Sequence, residues 1–155
     1  MALSQGKYPQ FETVVSKRNI VSVAGATKTL SEDESGALVN IAVVATTITL
    51  PLAVPGLFYD FVSTVASTSS QKIITGAASE LLIGSVIGED IDTGSVLVGW
   101  PAEAASSYIA VIMNGTTSGG LIGTRLRFTC LSATRWLVEG VNRGNGTVGT
   151  LFSAS

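Results

Sequence analysis

Leu57-Phe58-Tyr59-Asp60-Phe61-Val62-Ser63-Thr64-Val65 is the stretch on which the reading of this chain turns. Side chains alternate across a strand with a period of two. Leu57, Tyr59, Phe61 and Val65 therefore share one side, and Phe58, Asp60, Val62 and Thr64 the other. Both sides are largely apolar, which predicts a strand in the middle of a sheet or at an interface. Pro55-Gly56 stands just before it, and Pro51 and Pro55 bracket a short loop over 52–54. Proline has no N–H for a ladder, so strands are expected to end at both.

The same alternation recurs outward from this stretch. Ile48 and Leu50 alternate with Thr47 and Thr49, while Leu126, Phe128 and Cys130 oppose Arg125, Arg127 and Thr129. Short β-branched runs lie between Gly, Ser, Asn and Asp clusters, and no window holds a period near 3.6. Strands are predicted over 20–23, 37–41, 46–50, 57–65, 72–75, 80–84, 95–98, 108–113, 124–131 and 135–141. Such spacing predicts an all-β chain, a single-domain β-sandwich or a jelly-roll-like barrel. Ser35-Gly36, Asn114-Gly115 and Asn145-Gly146 supply residues that tolerate positive φ at reversals. Residues 1–19 read as an extended N-terminal arm, 20–155 as the all-β domain, and 147–155 within it as a tail; no internal repeat is visible.

The 155 residues suffice for one domain with its own core. Hydrophobic residues make up 46% and charged residues 13%, about half the usual share of charge. A surface so thin in charge is expected to be covered in part by other copies or by a partner. Net charge is −2 and the pI about 5.0, which leaves no electrostatic footprint for nucleic acid or an anionic membrane. The start of the chain lacks the apolar run of a signal peptide, and no stretch has the length of a membrane helix. The expectation is a soluble protein made in a cytoplasm.

Candidate chemistry is sparse. There is no histidine, the usual general base and metal ligand, and one cysteine. No cofactor, catalytic residue or metal site is expected, and the chain reads as a non-enzyme. A hydrolase working through carboxylates alone is the least favoured alternative. Glu32-Asp33-Glu34 and Glu89-Asp90-Ile91-Asp92 read as solvated turns, since the latter lacks the spacing of a calcium loop. Cys130, beside Phe128 on an apolar strand face, reads as a buried structural thiol. The sequons at Asn114 and Asn145 read as Asn-Gly turns, and the loop from Gly115 to Gly120 lacks the ending of a phosphate loop. Trp100, Trp136, Tyr59 and Tyr108 read as core or interface aromatics. Their alternative use is as a platform for stacking sugars.

The order of these motifs resembles a family. Thr29-Leu30, Ser35-Gly36 and Thr47-Ile48-Thr49-Leu50-Pro51 are followed by Pro55-Gly56-Leu57-Phe58-Tyr59-Asp60-Phe61-Val62 and Lys72-Ile73-Ile74-Thr75-Gly76. Gly119-Gly120-Leu121-Ile122-Gly123-Thr124-Arg125 then leads to Arg135-Trp136-Leu137-Val138-Glu139-Gly140 and Gly146-Thr147-Val148-Gly149-Thr150-Leu151-Phe152-Ser153. Over residues 27–155 this is similar to the small β-rich virion proteins of tailed bacteriophages, the capsid decoration or cement class, with related modules in phage fibres. The resemblance implies a homotrimer on the capsid surface whose partner is the major capsid protein, with no nucleic acid and no membrane. It also leaves open a carbohydrate-binding module of a fibre or tail spike. The arm falls outside the resemblance; its spaced apolar residues Tyr8, Phe11, Val14 and Val15 are the expected contacts to capsid or to neighbouring subunits.

Overall fold

In the computed structural model, which describes residues 17–92, 97–102, 107–146 and 149–155 and not the side chains of Leu97 and Trp100, the chain first shuttles between two sheets. Strands β1 (Ile20–Val23), β3 (Leu38–Ile41) and β5 (Phe58–Ser63) stack in parallel in one sheet. The alternate strands β2 (Thr27–Thr29), β4 (Thr46–Thr49) and β6 (Gln71–Ile74) stack in parallel in the other. The first half is thus three turns of a two-sheet coil. After it come β7 (Leu81–Asp90), β8 (Leu97–Ala102), β9 (Ala110–Met113), β10 (Arg125–Ser132), β11 (Arg135–Gly144) and β12 (Phe152–Ser153). The seven-stranded sheet has the order β1-β3-β5-β10-β11-β7-β8, and the five-stranded sheet β12-β9-β6-β4-β2.

The chain is all-β and two-layered, as the alternation predicts. Among the described residues, five of the ten strand pairings are parallel. Of the two expected architectures it is therefore the sandwich that forms, in a mixed version, because a jelly roll is built of antiparallel strands. Gly36, Gly115 and Gly146 do take positive φ. Gly36 turns the chain between sheets, while the hairpin joining β10 to β11 turns at Ala133-Thr134, between the paired residues Ser132 and Arg135.

The core lies between the sheets. Val39, Tyr59, Phe61, Phe128, Trp136 and Val138 face inward from one sheet, and Ile48, Ile73, Val111 and Met113 from the other. Each large apolar side chain so buried contributes roughly 1.5–3 kcal/mol. Phe61 and Phe128, on adjacent strands, meet edge to face with centroids 5.4 Å apart.

Several expectations are corrected. The stretch 147–155 is not a free tail: Leu151 and Phe152 are buried, and β12 pairs with β9. Two apolar side chains at the end of a polar run find a slot that only the assembled sheet offers. β2, Thr27–Thr29, is an edge strand too short to show an alternation. β7 runs on to Asp90 because it is parallel to β11 along its whole length, so Glu89 and Asp90 end a strand and are not in a free loop. Gly84 inside β7 has φ 114°, and a Cβ there would stand 2.3 Å from the Val138 carbonyl oxygen. Glu32–Glu34 form a 3-10 turn, with the Ser31 amide donating to Glu34 (2.9 Å) and Lys28 paired to the same carboxylate (2.7 Å). Just ahead of β1 the Leu38 amide donates to the Asn19 carbonyl (2.9 Å).

Candidate interaction surface

β5 is central in the seven-stranded sheet, between β3 and β10. Its inward side chains Tyr59, Phe61 and Ser63 are buried; Phe58, Asp60 and Val62 point out. Register then arranges the outer face in lateral rows. Leu38, Asp60, Arg127 and Glu139 form one row across β3, β5, β10 and β11. Asn40, Val62, Arg125, Val141 and Ile87 form the next, reaching β7. Ile20, Phe58, Ile87 and Leu131 are 62%, 38%, 48% and 50% exposed on this sheet. By comparison, the outward register of the five-stranded sheet carries Thr27, Thr29, Thr47, Thr49 and Lys72 together with the half-buried Ile74 and Ile112.

A charge node sits in the middle of the apolar rows. Arg127 embraces Asp60 with two bonds, Nε to Oδ1 (2.5 Å) and Nη2 to Oδ2 (2.7 Å). Arg18 also donates to Asp60, and to the carbonyls of Gly36 (3.0 Å) and Ala37 (3.1 Å). The Arg127 hydrogen bonds hold the Asp60 carboxyl below its ordinary range, opposed by partial burial and reinforced by Arg18. Arg127 lies 5.8 Å from the centre of the Phe58 ring, within reach of a cation–π contact. Around this node the face forms an open groove of about 560 Å³, with Leu38, Val62 and Val141 among its lining and Arg125 and Glu139 on it.

A second carboxylate is enclosed. Glu80 is buried, and its oxygens accept from the Ala53 amide (2.8 Å), the Gly76 amide (3.1 Å) and Trp136 Nε1 (3.2 Å). It thereby ties the 52–54 loop and the end of β6 to β11. Gly76 is needed for this approach, since a Cβ there would lie 2.7 Å from the Pro51 carbonyl oxygen. At the other end of the sandwich Asn142 accepts from the Gly120 amide (2.8 Å) and donates to the Ser118 carbonyl (2.8 Å). The glycine-rich loop is thus pinned to the fold through its own backbone.

The residues singled out in the sequence are placed as follows. Tyr8, Phe11, Val14 and Val15 lie outside the described residues, as does the side chain of Trp100. Trp136 and Tyr59 are fully buried with ring centres 6.3 Å apart, so neither is an exposed sugar platform. The Tyr59 hydroxyl donates to the Ser31 carbonyl (2.8 Å), and burial, with Glu34, Glu32 and Cys130 nearby, pushes its pKa up to about 12. Tyr108 is half-buried and stacks on Phe152, centroids 5.7 Å apart. Cys130 is a buried thiol, raised chiefly by desolvation. Glu89 pairs with Arg143 (2.9 Å). Among the described residues no three His, Cys, Asp or Glu side chains gather to hold a metal, and no helix is long and apolar enough to cross a membrane.

Sequence reasoning singled out neither Asp60 nor Glu80. The signal for Asp60 was available: it is the one charge inside an apolar run, with outward parity, and two outward arginines stand at Arg125 and Arg127. Only register joins them. Comparison of the chain with protein-family models, curated proteins and solved structures returns no match.

Proposed function

We propose that this chain is a structural protein of a tailed-bacteriophage virion that binds the outer surface of the head and clamps neighbouring major capsid subunits, acting as a homotrimer and not as an enzyme. The observation that carries the reading is the outer face of the seven-stranded sheet, where aliphatic side chains stand exposed in register around one clamped charge node. Monomeric proteins rarely leave a broad apolar patch uncovered, and such patches mark interaction sites. The small charged fraction and the resemblance of residues 27–155 to decoration proteins support the same reading. A cement protein also needs a stiff body, and a parallel coil sealed by antiparallel strands supplies one. In this reading the N-terminal segment with Tyr8, Phe11, Val14 and Val15 provides the remaining grip.

The test is to mix purified protein with empty heads, sediment them, and image the particles. Regular density on the head surface and saturable co-sedimentation are expected. Failure to bind any expanded tailed-phage head, together with retention on a glycan array, would move the protein to the fibre-module alternative.

A further inference from the structure

We propose that the groove on the outer face of the seven-stranded sheet receives residues 8–15 of a second copy of this chain, so that copies are joined head to tail by their N-terminal segments. The inference rests on the oligomeric part of the preceding reading and not on the capsid. The groove holds about 560 Å³, and Leu38, Val62 and Val141 give it apolar surface. Arg125 is registered between Val62 and Val141 on the neighbouring strands. Its neighbours in the node are engaged: Arg127 and Arg18 are both bonded to Asp60. The Arg125 guanidinium has no hydrogen-bond or ion-pair partner among the described residues. Arg125 is exposed, and a cation set between two valines on an open face is a fitting partner for a carboxylate carried on an apolar segment.

The chain contains such a segment. Residues 1–16 include a single acid, Glu12, flanked by Tyr8, Phe11, Val14 and Val15. The oligomeric reading on which this inference rests assigns the segment to another copy's groove. At Asn19 the backbone is bonded to Leu38 at the start of β3, with β1 following in the plane of the sheet. The side chain of Arg18 lines the near rim of the groove in every copy. Residues 8–17 reach about 33 Å at ~3.3 Å per residue. Crossing from β3 to β11 takes three strand spacings, about 15 Å. A heterologous contact of this kind closes into a ring when its rotation allows.

The test is the oligomeric state of the full chain and of Glu12→Arg, Arg125→Glu and their double variant, by light scattering across micromolar concentrations. Circular dichroism melts establish that each is folded. Each single reversal sets like charges together and is expected to weaken assembly about tenfold or more, while the double variant recovers it. Mixing the two single variants sets opposite charges together in both segment-to-groove contacts between unlike copies, and the mass should rise above that of either variant alone. A full chain that stays monomeric, or an oligomer indifferent to both reversals, overturns the proposal. Absence of a mass rise on mixing overturns it too, because a segment seated in its own groove gains nothing from a second variant. Should Arg125→Glu fail to fold, Glu12→Arg, upstream of the described residues, still decides. An assembly that responds to the charge swap while the protein ignores phage heads leaves this inference standing and removes the capsid reading.

Discussion

Asp60 and Glu80 are both carboxylates that accept three N–H donors, yet they do different work. Glu80 is enclosed: two of its donors are backbone amides from other segments and the third is the indole of a fully buried tryptophan. Asp60 is open on one side, and all three of its donors come from arginine side chains. Water can replace the partners of Asp60 if they leave, but not those of Glu80. The number of hydrogen bonds therefore says little about their contribution, and what matters is the cost of leaving a partner unmade. Glu80 holds the fold together, while Asp60 organises a surface.

The enclosed region should give the largest effects. Trp136→Ala removes a fully buried indole and is expected to cost about 3–5 kcal/mol in chemical denaturation. Glu80→Ala strands three donors at about 1–3 kcal/mol each, so a loss of about 3 kcal/mol or more is expected. Because the two residues share a hydrogen bond, their double variant should lose less than the sum. If Glu80→Ala melted like the wild type, the distinction between the two nodes would collapse.

Asp60→Asn should cost far less, about 1 kcal/mol or below, because its arginine partners are 43% and 48% exposed at the side chain. The Asp60 carboxyl is depressed in the fold, so its contribution is complete above the unfolded value of about 3.9. It is lost as pH falls through the lower folded value. The wild type should therefore lose a stability increment on acidification below about pH 4 that Asp60→Asn lacks. Denaturation midpoints at paired pH values would show it, and parallel curves for the two proteins would sink it.

The smallest effect on protomer stability is expected from deleting residues 1–17. Measured at low protein concentration, the melting temperature should stay nearly unchanged, while assembly or attachment to heads weakens. Unfolding upon deletion would make the segment part of the core and would break the division between a self-sufficient sandwich and an added grip.

Much of the fold is legible in the sequence because burial writes a period of two into each strand. Tyr59 and Phe61, Ile48 and Leu50, and Leu126, Phe128 and Cys130 all face the core, as their alternation predicts. That chemistry of residues fixes which elements are strands and which side of each is dry. It does not fix which strands are neighbours, because a strand's own pattern is the same beside a parallel partner or an antiparallel one. The coil of β1 to β6, the pairing of β7 with β11 and the docking of β12 follow from long-range register, to which no local window is sensitive. For the same reason the all-β character, the buried Trp136 and Cys130, and the outward Arg125 and Arg127 could be read from the chain alone. That Asp60 meets two arginines 42 and 67 residues away, and that Glu80 meets Trp136 56 residues away, was decided only when the sheets closed and brought those side chains within hydrogen-bond range.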